Sequence, residues 1–480
     1  MHANRFSSLS LLFFLGKWLL LAFIIAVLAG TASAFFLFSL QWATATREAH
    51  LWLIGLLPLA GFAVGWIYLR YGTRVEAGNN LILEEIHDPQ RVIPLRMAPL
   101  VFFGTVVSHL FGASVGREGT AVQMGASIAD RFTALFRLND DARRMILMAG
   151  ISAGFSSVFG TPLAGALFGL EVLAIGRMDY SAILPCLFAA IIADRVGIMW
   201  GVQHTHYFIT GFPTLTLWTL LAIIIAGCCF GLAARIFADS THAVGALMKK
   251  RIHYAPLRPF IGGLAIAGAV WLLHGERYIG LGIPVIVDAF QHPLAPWDCF
   301  GKLIFTVVSL GSGFKGGEVT PLFYVGATLG NALAPLLHMP LSFLAGIGFV
   351  AVFAGAANTP IASTLMAIEL FGAEIGVYAA QACVVAWLVS GYTGIYRSQR
   401  IACLKQSYVP TGIRLAELPA WYQSQTRRQK TDNAPPHLLT NAPGNRRAQA
   451  RRFLHDIYHM PESCGNCEDL MEISIALLKR

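Results

Sequence analysis

The stretch Gly116-Arg117-Glu118-Gly119-Thr120-Ala121-Val122-Gln123-Met124-Gly125 sets an arginine and a carboxylate between glycines, in a chain otherwise built for lipid. Charged groups at membrane depth are costly and normally face a protein interior or a water path. Glycines on both sides let the backbone leave regular helix and come close to a ligand. From Thr120 to Arg137 the pattern predicts a helix, so the stretch lies at a helix N-terminus. Free N–H groups and the positive end of the helix dipole make such a terminus a natural anion site. Glu118 is itself an anion. It could hold that site, be displaced by a competing ion, and be released by protonation, which is a physical route to coupling an anion with a proton. Taken alone, a glycine loop with a paired arginine and glutamate accounts for the same residues, because short Gly-rich patterns are weak signals.

The rest of the chain narrows the choice. Of 480 residues, 56% are hydrophobic and only 13% charged, about half the charged share of a soluble domain. That composition describes a polytopic membrane protein. The 47 glycines suit close helix packing and interrupted helices in a bilayer. The net charge of +9 does not point to nucleic acid: residues 396–480 carry 13 Lys/Arg against 7 Asp/Glu. A basic tail after the last apolar segment places the C-terminus in the cytoplasm. The eight cysteines lie mostly in apolar segments and form no disulfide framework.

Apolar segments at 11–42 and 50–70 are each long enough to span. The later ones, near 95–112, 120–137, 145–159 and 161–176, are short and interrupted by Gly and Pro. Short, broken segments at matching places in two halves mark transporter binding sites. Such a match exists here. Gly116-Arg117-Glu118-Gly119-Thr120 meets Gly316-Gly317-Glu318-Val319-Thr320. Thr161-Pro162-Leu163-Ala164, with Glu171 nine residues beyond its proline, meets Thr359-Pro360-Ile361-Ala362 with Glu369. Gly78-Asn79-Asn80-Leu81-Ile82 has a looser partner in Gly280-Leu281-Gly282-Ile283-Pro284. The expected organisation is a lead at 1–14, a first transmembrane repeat at 15–200, a linker at 201–213, a second repeat at 214–400 and a basic cytoplasmic tail at 401–480. The two repeats are expected to have inverted topology. Gln203-His204-Thr205-His206 in the linker carries two histidines at i, i+2, which could bind a metal on a strand, but it reads as a solvated loop. At the end of the tail, His455, His459, Cys464 and Cys467 have zinc-ligand types and spacing. A cytoplasmic amphipathic helix followed by an incidental cysteine pair is the favoured reading of them, and no metal or other cofactor is assigned.

Together these motifs resemble the CLC chloride channel and transporter family over residues 15–400. The carriers are Gly116-Arg117-Glu118-Gly119, the helix from Pro162-Leu163-Ala164-Gly165 to Phe168-Gly169-Leu170-Glu171, and the turn Gly316-Gly317…Pro321. The departures resemble the fluoride-transporting branch: Thr120 in place of Pro, Asn79 at the serine position, Val319 at the phenylalanine position. Val172 stands where many chloride/proton exchangers carry a second acid. The resemblance implies an all-α polytopic membrane protein with inverted repeats, a homodimer with one pathway per subunit in a bacterial inner membrane, that exports fluoride against protons and gives fluoride resistance. It makes Glu118 the gating glutamate and Glu318 a second acid near the pathway, with a structural pairing to Arg117 or Lys315 as the alternative for Glu318. It implies an anion site formed by Gly78, Asn79, Gly116, Arg117, Gly119, Thr120, Val319, Thr320 and Tyr396. Chloride exchange or conduction by the same fold, and an uncoupled fluoride channel, are the rival readings. An intramembrane enzyme is disfavoured, because the chain has no paired nucleophile and base.

Overall fold

In the computed structural model, residues 8–403, 405 and 409–432 are described. Two compact units divide the chain after Ala416. The first carries eight helices in each of two halves. In the first half these are α1 (Ser8–Ala49), α2 (Leu57–Tyr71), α3 (Asn79–His87), α4 (Met97–Phe111), α5 (Glu118–Phe136), α6 (Asp140–Phe159), α7 (Pro162–Glu171) and α8 (Ile183–Met199). In the second half they are α9 (Leu217–Arg251), α10 (Leu257–Leu273), α11 (Ile283–Ala289), α12 (Asp298–Ser312), α13 (Val319–Leu337), α14 (Leu341–Ala357), α15 (Pro360–Phe371) and α16 (Gly376–Ser390). In the second unit, α17 spans Leu418–Asp432. Among the described residues, six helical spans are long and apolar enough to cross a membrane. The candidate zinc ligands His455, His459, Cys464 and Cys467 lie outside the described residues.

The duplication is visible in contacts as well as in element order. Gly125 of α5 crosses Gly150 of α6 so closely that a Cβ on Gly125 would lie 2.2 Å from the Gly150 carbonyl oxygen. Gly326 of α13 crosses Gly348 of α14 in the same way, at 2.0 Å. Small residues at such crossings let two backbones meet where lipid supplies no hydrophobic drive. The short helices α7 and α15 cap one another. Glu171, ending α7, accepts the N–H groups of Ile361 and Ala362 at 3.1 and 2.8 Å. Glu369, near the end of α15, accepts those of Leu163 and Ala164 at 2.9 and 2.8 Å. Each C-terminal end therefore meets the other's N-terminus, so the two helices run antiparallel, as inverted repeats require. Carboxylates at these starts satisfy N–H groups that a helix leaves unpaired and complement its dipole.

Helix boundaries correct the register of the repeat. Both α5 and α13 have 19 residues, but α5 begins at Glu118 and α13 at Val319. Glu318 thus corresponds to Arg117, and Val319 to Glu118. Gly116 and Gly317 exchange N–H···O bonds of 2.6 and 2.8 Å in an isolated antiparallel bridge. Likewise Gly78 corresponds to Gly282: each has positive φ, +60° and +72°, and directly precedes its helix. The sequence match had aligned identical letters, whereas the structure aligns helix starts.

A buried ion cluster fixes the far end of α3. Arg143 of α6 bonds Asp130 of α5 through two N–H groups at 2.8 Å and Glu85 of α3 at 3.0 Å. At the other side, the parallel pair β1 (Ala174–Ile175) and β2 (Arg400–Ile401) ties the segment after α16 to the end of α7. Between the halves lies an aromatic core in which Phe323 stacks on Phe349 at 3.9 Å and Phe155 on Phe168 at 4.2 Å.

Candidate functional site

The starts of α5 and α13 meet at the Gly116–Gly317 bridge, and the buried Glu118 lies across the junction. One carboxylate oxygen, Oε2, accepts the Thr320 backbone N–H at 3.0 Å and the Arg117 N–H at 3.2 Å. The other, Oε1, accepts the Thr320 hydroxyl and lies 3.5 Å from Arg117 Nε. Thr320 is the second residue of α13, so its N–H is one that the helix leaves free. The sequence placed Glu118 at the N-terminus of its own helix. It is there, but its carboxylate occupies the N-terminus of the opposite helix. A carboxylate at the N-terminus of another helix meets the donors that such a terminus offers to an anion.

On the other side of Gly119, two further predicted residues converge. Asn79 Nδ2 lies 3.0 Å, and Glu318 Oε2 3.7 Å, from the point where a Gly119 side chain would begin. Asn79 Oδ1 and Glu318 Oε2 are buried without hydrogen-bond partners. Glu318 pairs with neither suggested cation. Arg117 pairs with Glu118, and Lys315 Nζ lies 4.0 Å above the Tyr68 ring. An orphan carboxyl and an orphan amide oxygen at one place are unusual in a buried interior.

Two separate cavities meet the junction. A cavity of about 810 Å³ is lined by Gly78, Asn79, Glu318 and Tyr396, together with the cations Lys249, Arg258, Lys315 and Arg397 and one further acid, Glu76. Clefts of one sign with low-dielectric walls concentrate counter-ions. A second, of about 20 Å³, is lined by Arg117, Glu118, Thr320, His204, Tyr207 and Phe323. No residue lines both, so Glu318 faces the wide cationic cavity and Glu118 the narrow one.

The remaining predicted residues divide. Val319 is the buried first residue of α13. Tyr396 is buried, with its ring centroid 6.4 Å from that of Phe168. Thr120 is buried, and its hydroxyl shares a hydrogen bond of 2.7 Å with Thr105 Oγ1 of α4. Two residues escaped the sequence reading. Gln123, one turn beyond Gly119, lines the wide cavity, and its side-chain amide nitrogen lies 3.2 Å from where a Gly78 side chain would begin. His204, read as solvated, has a side chain only 15% exposed and lines the narrow cavity with Glu118.

Inverted helical repeats meeting around a buried carboxylate are the architecture of a membrane transport protein. The chain belongs to the CLC family of channels and transporters: the family described as voltage gated chloride channel matches residues 60–391. It is 62% identical over 426 residues to a "chloride/fluoride channel protein" of Pseudomonas syringae pv. tomato, covering 87% of this chain and 94% of the relative. It is 27% identical over 385 residues to an H(+)/Cl(−) exchange transporter of Vibrio parahaemolyticus, covering 73% and 81%. Among solved structures it resembles a CLC-type fluoride/proton antiporter with a TM-score of 0.79 and 37% identity, over 81% of this chain and 99% of that one.

Proposed function

We propose that the protein exports fluoride in exchange for protons, with Glu118 serving in turn as plug and proton carrier. The observation that carries this reading is the docking of Glu118 on the N–H and hydroxyl of Thr320. A small anion reaching that place meets the same donors and must displace the carboxylate. A proton on Glu118 removes its charge and with it most of its hold on a helix N-terminus. Anion entry and proton uptake then favour the same movement.

Fluoride holds its water tightly, and burying any charge requires strong replacement hydrogen bonds. The site is correspondingly rich in donors: Thr320 N–H and O–H, Arg117 N–H, and the Asn79 amide. Glu318, when protonated, adds an O–H donor beside Asn79. Donors of this kind are strong in a low-dielectric interior. The similarity to the chloride/fluoride channel protein and the fluoride/proton antiporter favours fluoride over chloride. We read the wide cavity as opening to the cytoplasmic side of a bacterial inner membrane, with the C-terminus on that side as well; the cations Lys249, Arg258 and Arg397 on its wall support this orientation. Two copies, each with its own pathway, form the transporter, in keeping with the family resemblance.

Val172 favours one alternative. At the end of α7 its buried position carries no acid, and Glu171 beside it is engaged in capping α15. A pathway without a relay there would conduct fluoride uncoupled. Efflux of fluoride and of chloride from proteoliposomes, with pH recorded, separates the readings. Fluoride preferred and protons moving oppositely is the expected result. Chloride moving as readily overturns the selectivity, and fluoride moving without protons overturns the exchange.

A further inference from the structure

Outside the pathway, a groove of about 380 Å³ runs between α2 and α4. Its lining residues on α2, from Val64 to Tyr71, and on α4, from Leu100 to Val107, each fall at i, i+3, i+4 and i+7. Each set is therefore one stripe of its helix. The helix α2 belongs to the span Leu51–Tyr71, which is long and apolar enough to cross a membrane. Ile67, Tyr71 and Phe103 on the groove walls are exposed. Exposed apolar side chains on a membrane-spanning helix face acyl chains. The two helices run antiparallel: Gly104 of α4 packs on Tyr68, and Gly112, just after α4, packs on Ile54, just before α2. The groove therefore has a basic end. Arg96, the charged residue on its wall, directly precedes α4, at the end where α2 finishes in Leu69-Arg70-Tyr71 and Arg74 follows. Arg70, Arg74 and Arg96 are exposed, and none forms an ion pair with a described residue.

The floor of this groove is also a wall of the wide cavity. Tyr68 lines both, and Lys315 Nζ lies 4.0 Å from the centre of its ring. A Cβ on Gly104 would lie 3.0 Å from Lys315 Cβ, so beneath the groove α4 touches the segment that leads to Glu318.

We propose that the groove holds a membrane phospholipid with an anionic headgroup, and that this lipid sets the transport rate through the wall shared with the wide cavity. An acyl chain covers the two apolar stripes. The headgroup phosphate meets Arg96, whose guanidinium can donate two N–H groups to it, with Arg70 and Arg74 at the same end. Basic groups at a membrane surface attract anionic lipid. Packed against Tyr68, the chain keeps the ring in place beside Lys315 and so fixes part of the cationic wall. The inference uses the reading that ions pass through the wide cavity, but not which anion passes.

The test uses the full chain in phosphatidylcholine vesicles with a rising fraction of phosphatidylglycerol. Two quantities are read: the phospholipid retained by the purified protein, by mass spectrometry, and the rate of fluoride efflux. Wild type is expected to retain phosphatidylglycerol and to speed up saturably as its fraction rises. Arg96→Gln is expected to raise the half-maximal fraction about fivefold, the contribution of one basic residue near an anionic surface. Leu100→Trp, which fills the groove, is expected to lose both retention and response. Tyr68→Leu is expected to keep the lipid and lose the response; a full response there overturns the route through Tyr68. Vesicle surface charge by itself acts alike on every variant and is screened by salt. Equal responses of wild type, Arg96→Gln and Leu100→Trp therefore overturn the site, as does a wild type that neither retains the lipid nor responds to it. Retention without a rate response overturns the control of transport. Chloride moving as readily as fluoride would overturn the selectivity reading alone, because retention is read without transport.

Discussion

Glu118, on the first turn of α5, is bound to the backbone N–H and hydroxyl of Thr320, on the first turn of α13, 202 residues further along the chain. The carboxylate is thus held by the other repeat, and in the proposed exchange an ion that displaces it must compete for the donors of α13. Thr320→Val deletes the hydroxyl and keeps the N–H. A hydrogen bond to a charged group is worth about 1.5–3 kcal/mol. The docked carboxylate loses the same bond as the competing ion, so the two losses largely offset, and apparent fluoride affinity is expected to shift by less than the roughly tenfold that one such bond is worth alone. The half-saturating fluoride concentration of efflux reads it directly; a fall well beyond tenfold would mean that the ion uses the hydroxyl and the carboxylate does not.

Thr120 should behave differently. Its hydroxyl is buried against Thr105 Oγ1, so Thr120→Val strands the Thr105 hydroxyl at a cost of about 1–3 kcal/mol. The double change Thr105→Val/Thr120→Val should recover most of that, because both partners then become apolar. Thermal unfolding in detergent tests the pair. Fluoride selectivity should not move in either variant.

Glu171 and Glu369 are predicted to be structural despite their depth in the membrane. Each caps the partner helix through two N–H groups. Replacement by Gln keeps one acceptor oxygen and removes the charge near a helix start, a loss of about 1 kcal/mol for each. Lower melting temperature with unchanged proton-to-fluoride coupling is expected. Loss of coupling in a stable Glu171→Gln protein would make Glu171 part of the proton path.

Asp88, in the turn after α3, meets Arg400 and, at 3.1 Å, Arg414. The hydrogen bond from Arg400, aided by Arg414, holds its carboxyl below the usual aspartate range. A depressed folded value means that the folded chain binds fewer protons than the unfolded chain in acid. The stabilisation is complete above the unfolded value of about 3.9 and fades as pH falls through the folded one. Wild type should therefore melt slightly above Asp88→Asn at pH 7, with the two converging in strong acid. Salt should narrow the gap, because the pair is largely exposed. A gap independent of pH would place the effect elsewhere.

Much of this was legible in the sequence because the membrane punishes exceptions. Carboxylates and broken helices in an apolar chain stand out, so Glu118 and the break at Asn79 are singled out by residue type and position, while Glu318 and Thr320 enter through the family resemblance. Register was not legible. Glu118 and Glu318 share a letter, yet Glu318 corresponds to Arg117, since one residue separates the Gly-Gly turn from the Gly-Arg turn relative to their helices. The pairing of the Thr120 hydroxyl with Thr105 was not legible either, because it depends on the neighbouring helix α4, which no local pattern encodes. His204 was read as solvated because its linker is polar in sequence; its burial comes from the end of α6 and from Asp194, both distant in the chain. The mutual capping of α7 and α15 left a trace, the nine-residue spacing from proline to glutamate in both halves.

The central claim is that one carboxyl both blocks the anion and carries the proton. Its most direct test is fluoride-driven proton uptake into proteoliposomes by wild type and Glu118→Gln. The account predicts proton uptake opposite to fluoride in wild type. In Glu118→Gln, it predicts either fluoride movement with no proton uptake or no transport at all. Proton-coupled fluoride flux at the wild-type rate in Glu118→Gln would contradict it.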